Sequence, residues 1–362
     1  MRALLVVGIL ALTACASHAA APPPARDARL AGIAASLKRL AAAGKLSGAV
    51  LVARNGRPVL ARAYGLANNR TREPNRLSTR FNLASLGKTF TAVAVARLVE
   101  DGKLRFGDTI GRYVPELPAR LGDRITVAEL LDHTSGLGDF FESPDYGRLR
   151  PTLTSLDRYL PLIVSAPPVA APGSGFHYSN SGFLLLGLIV QRASDRDYYD
   201  ELRRDVFEPA GMTGSGCFRN DRLGRGIAIG YTRPSGRGLR SNTDGLPPRG
   251  TSAGGCYSTA HDLLAFANAH LAHRLVSAEL TREITSPKVD VGPAESYGYG
   301  FGIRLGRPGD SPTVWHNGGA PGTGAELDVN RGLGYTVVVL ANRDYQVIQP
   351  AIDLILNRLR IP

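Results

Sequence analysis

Between residues 28 and 44, apolar side chains recur at Leu30, Ile33, Leu37 and Leu40, the three-and-four spacing of one helical face. The pattern then changes. SGAVLVAR (47–54) and PVLARAYG (58–65) are short strand-like runs separated by Asn55-Gly56, a turn pair that closes hairpins. Residues 84–99, ASLGKTFTAVAVARLV, are apolar almost all round, which suits a helix buried inside the molecule. From about 108 to 285, helical segments alternate with Pro- and Gly-rich loops; TVAELLDH, LDRYLPLIV, GFLLLGLIVQRAS and TAHDLLAFANAHLA are the clearest helices. Strand patterns return at 297–305, 313–318, 325–330 and 335–343, and VIQPAIDLILNRL ends the chain as an amphipathic helix.

Strands near both ends with helices between them predict an α+β fold. One mixed, mainly antiparallel sheet is expected, assembled from both chain ends, flanked by helices and carrying a large helical insertion. The expected division is 1–26 as export signal and tether, 27–107 plus 290–362 as the sheet-containing domain, and 108–289 as the mainly helical domain. A chain of 362 residues is long enough for such an arrangement, and no repeat at solenoid spacing runs through it.

Composition sharpens the picture mainly at the N-terminus. MRALLVVGILALTACASHAA places Arg2 before an apolar run from Ala3 to Leu12, too short to span a bilayer and typical of an export signal. Leu12-Thr13-Ala14-Cys15 fits the site at which bacterial lipoproteins are cleaved and lipidated, so Cys15 is a lipidation candidate; cleavage after Ser17-His18-Ala19 is the alternative. The expected location is the periplasm or the membrane, through a lipid anchor. Cys217 and Cys256 are then left as an even pair in an oxidising compartment, either bonded or two buried thiols. A bond would close a loop of roughly 40 residues and contribute about 4 kcal/mol through loop-closure entropy. No C-x-x-C pair signals zinc, and no cofactor is called for. The net charge of +12 comes mostly from scattered arginines; without a basic block or an aromatic-interleaved stripe, nucleic-acid binding is not expected.

Lys88 is the anomaly in the helical stretch. A charged amine among Phe90, Val93 and Val95 is costly, and desolvation pushes it towards the neutral form that acts as a base. Ser85 lies three residues earlier on the same helical face. Ser-x-x-Lys can therefore be a nucleophile with its activator on one element, or a snorkelling lysine that follows a serine. Tyr178-x-Asn180 at the entry to an apolar helix can offer a phenol and an amide to one cavity, or serve as staple and cap. His316-x-Gly318 lies where a strand turns Gly-rich; small residues there let a substrate approach backbone N–H groups, and a half-buried histidine at a strand end is the plainer reading.

Taken together, Ser85-Leu86-Gly87-Lys88, Tyr178-Ser179-Asn180 and His316-Asn317-Gly318 occur in the order and separation found in class C beta-lactamase-like serine hydrolases. The stretches Leu130 to Leu137 and Gly254 to Asp262 also match, and the resemblance covers roughly residues 27 to 360. It implies Ser85 as nucleophile through an acyl-enzyme and Lys88 with Tyr178 in the proton traffic, the phenol lowered beside the lysine. It implies Asn180, His316, Asn317 and Gly318 at the substrate, and the backbone N–H groups of Ser85 and Gly319 as oxyanion hole. Asp262 is expected in a capping box with Thr259, and His133 in the framework. The departure is His316-Asn317-Gly318 where class C enzymes carry Lys-Thr-Gly. Losing that lysine removes a charge for a substrate carboxylate, which favours an ester or D-amino-acid amide over a beta-lactam; a small-molecule ester, peptide or beta-lactam is the expected partner. Gly250-Thr251-Ser252-Ala253-Gly254 also fits G-x-S-x-G, but that motif needs a preceding strand and SNTDGLPPR reads as loop. A non-catalytic envelope-binding module would be expected to have lost one of Ser85, Lys88, Tyr178 or Asn180, and all are present.

Overall fold

The computed structural model describes residues 28–234, 237–307 and 309–362. The expected export signal and the lipidation candidate Cys15 lie outside the described residues.

The chain enters through α1 (Ala28–Ala42) and forms a hairpin of β1 (Gly48–Arg54) and β2 (Arg57–Tyr64). Asn55 and Gly56 both take positive φ, as a tight primed turn demands. A 3-10 turn, Ala84–Gly87, leads directly into α2 (Lys88–Glu100). After several short helices come α3 (Asn180–Ser194), α4 (Ala260–Leu271) and α5 (Ala278–Ile284). The C-terminal part supplies β3 (Val289–Gly292), β4 (Glu295–Tyr297), β5 (Gly302–Arg304), β6 (Thr313–Ala320), β7 (Thr323–Asn330) and β8 (Tyr335–Ala341), then α6 (Tyr345–Leu359).

These eight strands form one sheet in the order β2-β1-β8-β7-β6-β5-β4-β3, antiparallel at every pairing. The first and last parts of the chain meet where β1 pairs with β8, Val50 opposite Val339. Side chains alternate between the faces. Val50, Val52, Val337 and Val339 point towards α1 and α6, joining Ile33, Leu37, Ile348 and Ile352 in a smaller core. Ala49, Leu51, Val338 and Leu340 face the other way into the main core, with Phe90 and Val93 of α2 and Leu184 to Leu186 of α3. Both α2 and α3 are buried nearly all round, so their apolar surface meets protein on every side.

Three local expectations change. Residues 297–305 are not one strand: Gly298 to Phe301 turn the chain between β4 and β5, with the Gly298 N–H bonded to the Phe301 carbonyl and Gly300 at positive φ. Asp262 completes only half of a capping box. Its N–H donates to the Thr259 hydroxyl, while its carboxylate turns away to accept from the Gly214 N–H and the Ser215 hydroxyl. Helix α5 and strand β3 lack strong apolar periodicity and have no counterpart in the sequence reading. Cys217 and Cys256 are joined in a disulfide. Among the described residues no helix is long and apolar enough to cross a membrane.

Candidate active site

Ser85 sits in the 3-10 turn and Lys88 begins α2, so the two are set by one continuous piece of helix. Near such a start, the first backbone N–H groups lack intrahelical acceptors. The turn is held from two sides. The Leu83 N–H donates to the Cys256 carbonyl and the Gly255 N–H to the Ala84 carbonyl. On the other side β6 crosses so closely that a side chain at Gly318 would collide with the Leu83 carbonyl oxygen. That glycine lets the strand lie against the turn, and its neighbour Gly319 borders the same cavity as Ser85.

Lys88 has no exposure to solvent. Its amine lies 2.7 Å from the Asn180 Oδ1, 2.6 Å from the Ala253 carbonyl and 3.3 Å from the Ser85 Oγ. Burial is the largest influence on it and lowers it to about 7, against a smaller upward pull from the Asp139 carboxylate. A neutral amine has two N–H donors and one lone pair. With Asn180 and Ala253 taking the donors, the lone pair is left for the Ser85 hydroxyl.

Asp139 explains why Asn180 presents oxygen, not nitrogen, to that amine. The Asp139 Oδ2 accepts from the Asn180 Nδ2 at 2.7 Å and from its backbone N–H at 3.0 Å, so the amide orientation is assigned by its network. Ser179 caps α3 through its hydroxyl and the Gly182 N–H, which fixes the turn that projects Tyr178 and Asn180. The Tyr178 ring lies 4.3 Å from the His133 ring and 4.9 Å from the Lys88 amine, centroid to nitrogen. Its hydroxyl is directed at the Ser85 side chain, which acts on the phenol.

The tyrosine differs from expectation. The residue as a whole is 42 % exposed, yet its hydroxyl points inward to Ser85, and burial raises the phenol well above the usual tyrosine range. A lysine that is itself half neutral near pH 7 is a weak cation to hold a phenolate down, so Tyr178 stays protonated. His133 is fully buried; its Nδ1 accepts from the Ser179 N–H, and burial keeps it well below the usual histidine range.

Ser85, Lys88, Tyr178 and Asn180 therefore meet at one point. The third motif does not join them as expected. His316 is 4 % exposed, with its Nδ1 2.6 Å from the Asn317 carbonyl and its Nε2 2.8 Å from the Tyr297 hydroxyl. The carbonyl needs a donor, so Nδ1 carries the hydrogen and Nε2 accepts. Burial lowers His316 to about 3, and it does not border the cavity beside Ser85. Alternation along β6 turns Asn317 to the opposite sheet face, the one on which Gly319, two residues on, meets Tyr345. A strand between two packed layers has no third direction to offer. Of His316, Asn317, Gly318 and Gly319, only Gly319 reaches the cavity wall.

That cavity has a volume of about 600 Å³. Its lining includes the aromatic residues Phe140, Phe141, Tyr146 and Tyr159, the apolar Leu246, Pro247 and Pro321, and Ser85 with Asn180. No acidic or basic side chain lines it among the described residues. Ser252, of the G-x-S-x-G stretch, is fully buried and does not line the cavity; its hydroxyl is unpartnered and faces Gly187. The stretch serves instead through the Ala253 carbonyl. Sequence reading missed this acceptor and Asp139, although Asp139 follows a Leu-Asp-His-Thr-Ser-Gly run that already stood out.

The family model described as Beta-lactamase matches residues 33–359. Penicillin-binding protein 4* of Bacillus subtilis (strain 168) is 29% identical over 317 residues, covering 83% of this chain and 69% of that protein. Esterase EstB of Burkholderia gladioli is 30% identical over 346 residues, covering 83% of this chain and 87% of that protein. The solved penicillin binding protein from Bacillus halodurans is similar with a TM-score of 0.81 and 33% identity, covering 88% of this chain and 99% of that one.

Proposed function

The chain belongs to the Beta-lactamase family of serine hydrolases, and we propose that its own reaction is hydrolysis of a neutral carboxylic ester through an acyl-enzyme on Ser85. The uncharged cavity carries this reading. Penicillins and cephalosporins, like peptides ending in D-alanine, bear a carboxylate close to the bond that breaks. Enclosing that charge without a cation is expensive. Among the described residues the cavity walls offer no lysine or arginine, while aromatic rings suit an apolar acyl or alcohol group.

The steps follow from the donors and acceptors. The Ser85 hydroxyl attacks the ester carbonyl carbon as its proton passes to the Lys88 lone pair. Negative charge forms on the carbonyl oxygen, facing the backbone N–H groups of Ser85 and Gly319. The carbon–oxygen bond to the alcohol then breaks, and the alcohol takes a proton supplied by the Lys88 ammonium with the Tyr178 hydroxyl. Water then attacks the Ser85 ester as its proton passes to the neutral Lys88 amine. The acyl bond to Oγ breaks, and the Lys88 ammonium returns the proton to Oγ as the acid leaves. Asn180, fixed by Asp139, keeps the amine aimed at Ser85. We place this activity at the cell envelope, with Cys15 as the lipid anchor.

Turnover of a short-chain nitrophenyl ester, a chromogenic cephalosporin and a D-Ala-D-Ala peptide by the native chain and by Ser85→Ala tests the proposal. The ester should be cleaved at least tenfold faster than the others, and Ser85→Ala should lose that activity. A faster cephalosporin rate would make the chain a beta-lactamase. Ester turnover surviving in Ser85→Ala would remove Ser85 as nucleophile.

A further inference from the structure

A second cavity, of about 220 Å³, lies on the inner face of β6 and β7, closed over by α4 and α5. Phe266, Phe301, Val314, Leu327 and Val329 make it apolar. Among the described residues, two polar side chains that line it have no hydrogen-bond partner: Trp315, through its indole N–H, and His270. His270 on α4 is 7 % exposed, and neither of its ring nitrogens has a hydrogen-bond partner. Its ring is stacked between Phe266, 6.2 Å away, and Phe301, 5.3 Å away. A buried imidazole with both nitrogens idle forfeits about 1–3 kcal/mol for each, a cost a native core normally avoids. Two exposed guanidiniums, Arg282 and Arg331, border the same cavity, and no carboxylate does among the described residues.

We propose that this cavity binds a small monocarboxylate with an apolar tail of about six carbons. A volume of about 220 Å³ holds about seven water-sized groups at roughly 30 Å³ each, the size of such a tail. The carboxylate takes the place between His270 and Arg331, whose guanidinium reaches to 3.5 Å from the carbonyl of Leu271, the residue after His270. Charge-assisted bonds from guanidinium to carboxylate are the stronger kind, and the His270 N–H supplies a further donor. Burial lowers His270 to about 4, so the ring is neutral and offers one donor and one acceptor. The tail lies on Val314, Leu327 and Phe301.

The inner end of the cavity reaches Thr89 and His316. The Thr89 hydroxyl donates to the Leu86 carbonyl, inside the turn that bears Ser85, and His316 stands two residues from Gly318. A bound tail would therefore touch the back of the turn without entering the cavity in front of it.

Calorimetric titration with hexanoate and with hexanol, on the native chain, Arg282→Gln/Arg331→Gln and His270→Phe, tests the site. The native chain should bind one hexanoate, and hexanol at least tenfold more weakly. Both variants should lose at least tenfold in hexanoate affinity. The two glutamines replace exposed side chains, so melting without ligand should not move, and that variant decides the outcome if His270→Phe fails to fold. No heat at millimolar hexanoate, equal affinity for hexanol, or unchanged binding in the glutamine variant would overturn the proposal; the last would place hexanoate elsewhere, including beside Ser85.

Discussion

Lys88 shows how a single side chain gains its chemistry from its surroundings. Removal from water brings the amine from the usual lysine range down to about 7, and Asp139 pulls in the opposite direction because its negative charge favours the ammonium. As a base, Lys88 must be neutral, so kcat/KM should fall about tenfold per pH unit below that midpoint. Asp139→Asn removes the upward pull, and the acidic limb of the pH profile should move to lower pH. The same change weakens the grip on Asn180, replacing charge-assisted bonds with neutral ones, and the plateau should drop by about tenfold. A pH–rate profile of the variant checks both effects. A limb that stays in place, or moves upward, would mean that the group titrating near 7 is not Lys88.

At the level of elements, the site is a contact between the Ser85 turn and strand β6. A methyl group at Gly318 would strike the Leu83 carbonyl oxygen and come within 3.1 Å of the Leu86 nitrogen. Backbone on both sides leaves little room to yield, so in Gly318→Ala the strand must draw back and take Gly319 with it. Misplacement by about 1 Å at a reacting centre can cost about a hundredfold in rate, whereas overpacking one methyl costs about 1–3 kcal/mol in stability. The expected result is a folded protein with a modestly lower melting point and kcat/KM reduced by about a hundredfold; full activity would show that this contact does not hold the site. Such long-range contacts are what sequence patterns miss. Short apolar runs, with the Asn55-Gly56 turn beside the first, made β1 and β8 legible, and uniform apolarity revealed α2 and α3. Nothing local to Asp139 says that it will clamp an asparagine 41 residues away, nor does Ala253 carry any mark of a carbonyl aimed at Lys88. His316 was legible as a motif, but its direction depended on which layer lay behind the strand.

For the whole molecule, the pairing of β1 with β8 joins the ends of the described chain into one sheet, and the long middle section returns to that sheet beneath the Ser85 turn. The disulfide between Cys217 and Cys256 ties this return. Closing a loop across 39 positions contributes about 4 kcal/mol by constraining the unfolded chain, and the Cys256 carbonyl accepts directly from Leu83 beside the turn. Such a bond persists in oxidising compartments, as expected if residues 1–26 act as an export signal, and it leaves Cys15 as the one cysteine outside the pair. If Cys15 carries lipid, the native chain expressed in a bacterium should sediment with membranes, and Cys15→Ala should appear in the soluble periplasmic fraction with its ester turnover intact. One acyl chain alone anchors weakly, so the multiple chains added to a lipoprotein cysteine are needed for stable attachment. Continued sedimentation of Cys15→Ala would point to another mode of membrane attachment, and a native chain found wholly in the soluble fraction would favour cleavage after Ala19 instead.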